Sequence, residues 1–346
     1  MTRDELTPRQ CYFLLFLFLL GNLVTAAGAK GTQSGWLLFL LLGGVSIPVY
    51  ALFHRVIGNL PAGAVFPETL GRAIGGTVTA LYSVLAVLMA GDAIRLFADF
   101  IVINDLNDAG AWGNTAMLTL VVLIMLVCGL RSLGKAAWAT MPIVLFLLLL
   151  SVAVTANKMQ FHRLLPLLSE SPQLLGRSFV SSFAALTAAS FFPIGIFGGG
   201  ANRKKRFAVY AAGLSACMLM AVLALRDAAV LGWPAIGRFR FPMFAAAAVE
   251  RHSQILISSV FVLVQPFRAA LCLRYTQSCL EHWMPRFRRW YPPVLLGAAI
   301  LSGSLSWSSE QVRWRTAGES AVSILLLAGP AAVVIVRLLQ NRQRQA

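Results

Sequence analysis

Asp92, Arg95 and Asp99 stand at i, i+3 and i+7 inside a long apolar run. That spacing places all three on one face of a helix. Charges in such a run are rare, and they turn toward a cavity or toward one another. Glu250 and Arg251 open a later apolar run, and Glu319 opens the last one. With the topology derived below, all six residues lie toward one side of the chain, the outer side. Two chemistries fit them: the vestibule or gate of a binding site, and an ion-pair network at a membrane interface.

A second group of residues offers backbone chemistry. Gly21-Asn22, followed by Thr25 and Gly28, interrupts the first apolar run. Glycine is a poor helix former, and asparagine competes for backbone hydrogen bonds. A break there exposes N–H and C=O groups that only protein, water or a ligand can satisfy in a bilayer. Close helix packing through small residues is the other use of the same spacing. Phe191-Phe192-Pro193-Ile194-Gly195, then Gly198-Gly199-Gly200, interrupts the sixth run. Pro193 removes a backbone donor and frees a carbonyl. The two interruptions fall at corresponding places in two halves of the chain, which points to a central binding site. Gln265-Pro266, deep in the eighth run, offers a kink beside an amide.

Other chemistries find no support. No serine stands in a nucleophile-elbow context, and no glycine loop precedes a helix with Lys and Ser/Thr. Cys11, Cys128, Cys217, Cys272 and Cys279 form no ligand-spaced cluster with the four histidines. The sequence therefore predicts neither an enzyme nor a metal or other cofactor.

The elements that must position these residues are membrane spans. Hydrophobic residues make up 58% of the 346, and charged residues only 12%, about half the share of a soluble domain. A bilayer core about 30 Å thick needs roughly 20 apolar helical residues. The expected spans are 9–28, 35–57, 74–101, 115–130, 136–155, 179–198, 207–225, 250–275, 291–306 and 318–339. They define an all-α, polytopic membrane protein of about ten helices in a single domain, 1–346. The connection at 156–178 has room for a short interfacial helix.

The net charge of +16 is unevenly placed. Arg55, Arg72, Arg131, Lys135, the turn Arg203-Lys204-Lys205-Arg206, Arg286, Arg288, Arg289 and Arg337 fall on the side of the N-terminus. Fewer basic residues, among them Lys158, Arg163, Arg177 and Arg226, fall opposite. The bias predicts both termini in the cytoplasm, as an even span count requires. It also accounts for the high charge without nucleic acid. Ala27-Gly28-Ala29 has the small residues of a signal cleavage site, but Asp4 and Glu5 weaken the basic leader, so span 1 reads as a mature helix.

Several motifs occur in a recognisable order. Leu6-Thr7-Pro8-Arg9-Gln10 leads into span 1 with Gly21. Trp36 opens span 2, Leu70-Gly71-Arg72 precedes span 3, and Arg95 and Asp99 follow within it. Leu165-Pro166-Leu167-Leu168-Ser169-Glu170, Arg203-Lys204-Lys205-Arg206, Phe241-Pro242 and Glu250-Arg251 complete the set. In this order the chain resembles the B subunit of spore germinant receptors, the spore-germination permease family. That family is related to the amino acid–polyamine–organocation transporters.

The resemblance implies a fold of two inverted five-helix repeats with broken helices 1 and 6. It implies a subunit that senses a nutrient such as an amino acid in the inner membrane of the spore, beside A and C subunits. It places ligand contacts at Gly21, Leu85, Met89, Ala189 and Pro266; Asn22, Phe192 and Gln265 join them from the reading of the breaks. Pro266 and Arg268 depart from the apolar or small hydroxyl residues usual in span 8. The expected site is a mid-membrane pocket between spans 1, 3, 6 and 8. Asp92, Arg95 or Asp99 should approach Glu250, Arg251 or Glu319. An amino-acid permease working by alternating access is the alternative function.

Overall fold

The computed structural model describes residues 6–27, 32, 34–103, 110–165, 170–197, 202–236, 239, 241–250, 253–305 and 325–340. Among these, helices occupy all ten expected positions. They are Pro8–Ala27 (span 1), Gly35–Ile57 (span 2), Arg72–Ile103 (span 3), Gly110–Cys128 (span 4), Leu130–Thr155 (span 5), Pro172–Phe197 (span 6), Arg203–Leu231 (span 7), Gln254–Trp283 (span 8), Tyr291–Leu305 (span 9) and Leu325–Gln340 (span 10). Spans 2, 3, 5, 6, 7 and 8 are long and apolar enough to cross a membrane unaided. Leu41, Val84, Ile124, Val127 and Phe146 are all exposed, as lipid-facing residues are.

Burial ranks the spans. In the most apolar stretch of spans 6 and 8, 72% of residues are buried, against 33% for spans 2 and 3 and 28% for span 5. Spans 6 and 8 therefore sit at the centre, and span 1 packs onto them with Leu14 to Asn22 almost wholly enclosed. Lipid is as apolar as leucine, so close backbone approach has to hold such helices together. Gly91 of span 3 and Gly303 of span 9 supply one such crossing. A Cβ on Gly91 would fall 2.4 Å from the Ala299 carbonyl oxygen, and one on Gly303 would fall 2.7 Å from that of Gly91.

Span 6 is interrupted where the sequence places Pro193. A regular helix from Pro172 to Phe183 widens to a π-turn over Ala184–Ala188, and a new helix runs from Phe191 to Phe197. Pro193 has no N–H for the Ala189 carbonyl four residues before it. That carbonyl takes the Phe192 N–H instead, at 3.2 Å. The Ser190 hydroxyl bridges the joint, 2.6 Å from the Leu186 carbonyl and 3.1 Å from the Tyr50 hydroxyl.

Span 1 behaves otherwise. It runs as continuous helix through Gly21 and Asn22, so the break expected at that pair is absent. The missing side chain serves close packing: a Cβ on Gly21 would stand 3.0 Å from Cβ of Arg268. Gly28 lies outside the described residues.

Two helix ends are tied by charge. Glu170 accepts from Ser34 N and Ser34 Oγ, both at 3.0 Å, at the start of span 2. Arg337 of span 10 donates to the Arg55 carbonyl at 2.6 Å and the Val56 carbonyl at 3.1 Å, at its end. Both signs suit the helix dipole. The Arg337 contact also brings the basic ends of spans 2 and 10 together. The 156–178 connection holds two 3₁₀ turns, Ala156–Lys158 and Phe161–Leu164, before the first turns of span 6.

Candidate functional site

Spans 1, 3 and 8 meet in a polar seam. Gln265 and Arg268 stand at i and i+3 on span 8 and face the same way. Gln265 Nε2 donates to the Gly21 carbonyl oxygen at 3.0 Å. Arg268 Nη2 donates to Asp92 Oδ2 of span 3 at 3.0 Å. Gly21 is what lets the arginine stem lie against span 1, since only 3.0 Å separates that stem from the space a side chain would need. Asp92 shares a helix face with Leu85 and Met89, two turns and one turn before it. Leu85 is buried and Met89 packs half-buried on the core.

The seam is only part-satisfied. Gln265 Oε1, Arg268 Nε and Arg268 Nη1 are buried with no hydrogen-bond partner among the described residues. A buried polar atom without a partner costs about 1–3 kcal/mol, more for a charged group. One acceptor and two cationic donors in one place suit a ligand carrying both an anionic oxygen and an N–H. The seam is also shut: Asn22 and Gln265 are fully enclosed and Arg268 is 4% exposed.

The other expected site residues divide. Pro266 is buried inside an unbroken span 8. Ala189 sits at the joint of span 6, also fully buried. Phe192 packs on Tyr275 of span 8 with ring centroids 5.0 Å apart. Tyr275 is ten residues beyond Gln265, about 15 Å along a helix. Phe192 belongs to an aromatic plug with Phe191, Tyr82, Phe66 and Phe53. A large apolar cavity between spans 3, 8 and 9, lined by Ser83, Thr276 and Trp283, includes neither Gly21 nor Phe192.

Of the partners expected for the charges of span 3, Glu250 alone lies among the described residues. Arg95 pairs with Asp99 one turn away at 2.8 Å, and Asp92 finds Arg268. Glu250 reaches Lys158 at 3.8 Å rather than span 3. Span 8 begins only at Gln254, which leaves Glu250 in the preceding turn beside the 156–158 turn. Arg251 and Glu319 lie outside the described residues.

One buried charge was misplaced by sequence reading. Arg226, expected in an outer connection, lies inside span 7 and is fully buried. It binds Asp227 Oδ1 through Nε at 2.9 Å and Nη2 at 2.5 Å, Ser151 through Nη1, and the Met243 carbonyl at 3.0 Å. The signal lay in the adjacent opposite charges, which cancel and let the helix run on to Leu231.

Two comparisons place this architecture. A crystal structure of MhsT in complex with L-phenylalanine superposes with a TM-score of 0.64, covering 97% of this chain and 99% of that one at 16% identity. The chain thus has the LeuT-type fold of that transporter. A search of curated protein sequences returned no match. Residues 5–273 match the family described as spore germination protein, and the chain belongs to that family.

Proposed function

We propose that this protein is the nutrient-sensing membrane subunit of a spore germination receptor, and that the seam between Gly21, Gln265, Arg268 and Asp92 is its ligand site. The observation that carries the reading is the pairing of unmet buried donors and an unmet acceptor on one face of span 8. An α-amino acid has the matching chemistry. Its carboxylate would take Arg268, and its ammonium would lie between Gln265 Oε1 and Asp92. MhsT, of like fold, holds L-phenylalanine, which supports that ligand class here.

The shut seam gives the mechanism. A ligand shifts a conformational equilibrium only by its differential affinity for the two states. Entry of a zwitterion would part Arg268 from Asp92, loosen span 8 from spans 1 and 3, and hand the change to A and C subunits at the membrane of the spore. Both termini would lie in the cytoplasm, with the basic ends of spans 2, 7 and 10 beside them. The transporter fold also favours a second reading, an amino-acid permease. Labelled amino acid accumulating in vesicles that hold this chain alone would establish that function instead.

The test uses spores carrying Gly21→Leu or Arg203→Ala. Gly21→Leu should abolish the response to the nutrient while the protein stays in the membrane, because the added side chain meets Arg268. Arg203→Ala, on the basic turn, should leave nutrient preference unchanged. A normal response in Gly21→Leu spores at the same nutrient concentration rules out the seam.

A further inference from the structure

A cavity of about 430 Å³ opens at the basic end of the bundle, where span 2 ends and span 7 begins. His54, Arg55, Asn59, Arg206 and Tyr210 line it, with Ala51 at its inner edge. No acidic side chain is among them. His54 stands edge-on to Tyr210, ring centroids 5.7 Å apart. His54 Nε2 and Arg206 Nε are buried with no partner among the described residues. Neither nitrogen is used by the ligand site proposed above.

The surroundings add positive charge. Span 7 starts at Arg203 with Lys204 and Lys205 next in line, and Asn202 caps it by accepting from Lys204 N at 3.0 Å. The first-turn N–H groups of a long helix carry the positive end of its dipole. Arg337 holds the last carbonyls of span 2, so those oxygens do not offset the charge. Among the described residues no acid lines this cavity; cations gathered this way repel one another, and a concave basic site focuses its potential on an anion.

The cavity continues into an apolar track. One turn inward from Ala51 on span 2 is Ile47, 41% exposed, and one turn inward from Tyr210 on span 7 is Leu214, 43% exposed. Phe207 flanks the mouth and is 72% exposed. The two helices touch here, since a Cβ on Gly43 would lie 3.4 Å from Leu214 Cδ1. A basic head site at the end of two apolar spans, with a lipid-facing seam leading from it, fits a molecule with a phosphate and an acyl chain.

We infer that this cavity binds one anionic phospholipid of the adjoining leaflet, its phosphate held by Arg55, Arg206 and His54 and one acyl chain lying along Ile47 and Leu214. Positive residues at span ends orient any membrane protein. That general effect needs no pocket and predicts equal weight for every arginine at this end. The pocket predicts unequal weight.

The experiment is native mass spectrometry of the full chain released from nanodiscs of phosphatidylglycerol, of phosphatidylcholine, or of both. Wild type should retain one phosphatidylglycerol in preference to phosphatidylcholine. Arg206→Gln should lower that retention about fivefold, and Arg131→Gln, an exposed arginine at the same end outside the cavity, should leave it unchanged. Retention without headgroup preference, or equal retention by Arg206→Gln, overturns the inference. Inorganic phosphate bound as firmly as the lipid also overturns it, by showing an anion site that needs no acyl chain. If Arg206→Gln does not fold, His54→Gln and the wild-type headgroup series decide by the same criteria.

Discussion

Two guanidiniums are buried among the described residues, and they are satisfied to different degrees. Arg226 of span 7 spends all three nitrogens: two on Asp227, one on Ser151, and one of the first two again on the Met243 carbonyl. Arg268 of span 8 spends only Nη2, on Asp92, and leaves Nε and Nη1 without partners among the described residues. Fully met polar groups rigidify a fold, and part-met groups carry a standing cost. The difference separates a structural knot from a site that awaits an occupant.

The largest effect should come from the knot. Arg226→Ala leaves Asp227 buried without its counter-charge. Removing one partner of a buried pair costs about 3–5 kcal/mol. Little folded chain should survive detergent extraction, as read by monodisperse elution. A normal yield would mean that Arg226 is not the strut described here.

Next comes the seam. Arg268→Gln keeps polarity but removes the charge, and a hydrogen bond to a charged group is worth about 1.5–3 kcal/mol. The nutrient concentration for half-maximal germination should rise roughly 10–100-fold, with folded yield near that of wild type. Equal collapse of yield in Arg226→Ala and Arg268→Gln would erase the contrast between the two sites. Asp92→Asn sharpens it: combined with Arg268→Gln, it should cost less than the sum of the two single changes, because the residues share one pair.

The smallest effect belongs to Arg95. Its pair with Asp99 is one helical turn long and part-exposed, with side chains 23% and 11% accessible. Exposed pairs contribute about 0–1 kcal/mol. The coupling between Arg95→Ala and Asp99→Ala should be at most about 1 kcal/mol in thermal stability, with a coupling in nutrient response within about twofold. A change as large as that of Arg268→Gln would move the site toward the end of span 3.

Particular residues show how much of this was legible in the sequence. The ten spans were, because a 20-residue apolar run has few alternatives to a membrane helix. The joint in span 6 was, because Pro193 removes a donor wherever it sits. The unbroken course of span 1 was not: Gly21 permits both unwinding and close packing, and only the position of Arg268 decides between them. Span 7 was read too short because hydropathy falls at Arg226 and Asp227, whereas adjacent opposite charges can be buried together. Gln265 was legible as a polar group deep in a span, but its partner, the Gly21 carbonyl, lies 244 positions away. Phe192 was legible as the residue beside the Pro193 break, but its packing on Tyr275 of span 8 was not.

The central claim is that Arg268 receives a ligand carboxylate. The most direct test is equilibrium binding of an amino-acid panel, each acid beside its carboxamide, to the purified full chain in nanodiscs. For wild type, at least one acid should bind and its carboxamide should not. For Arg268→Gln, the same acid should bind at least about tenfold more weakly, the lower bound set by one lost charge-assisted bond. An acid bound equally by both proteins, or a carboxamide bound as tightly as its acid, would contradict the assignment.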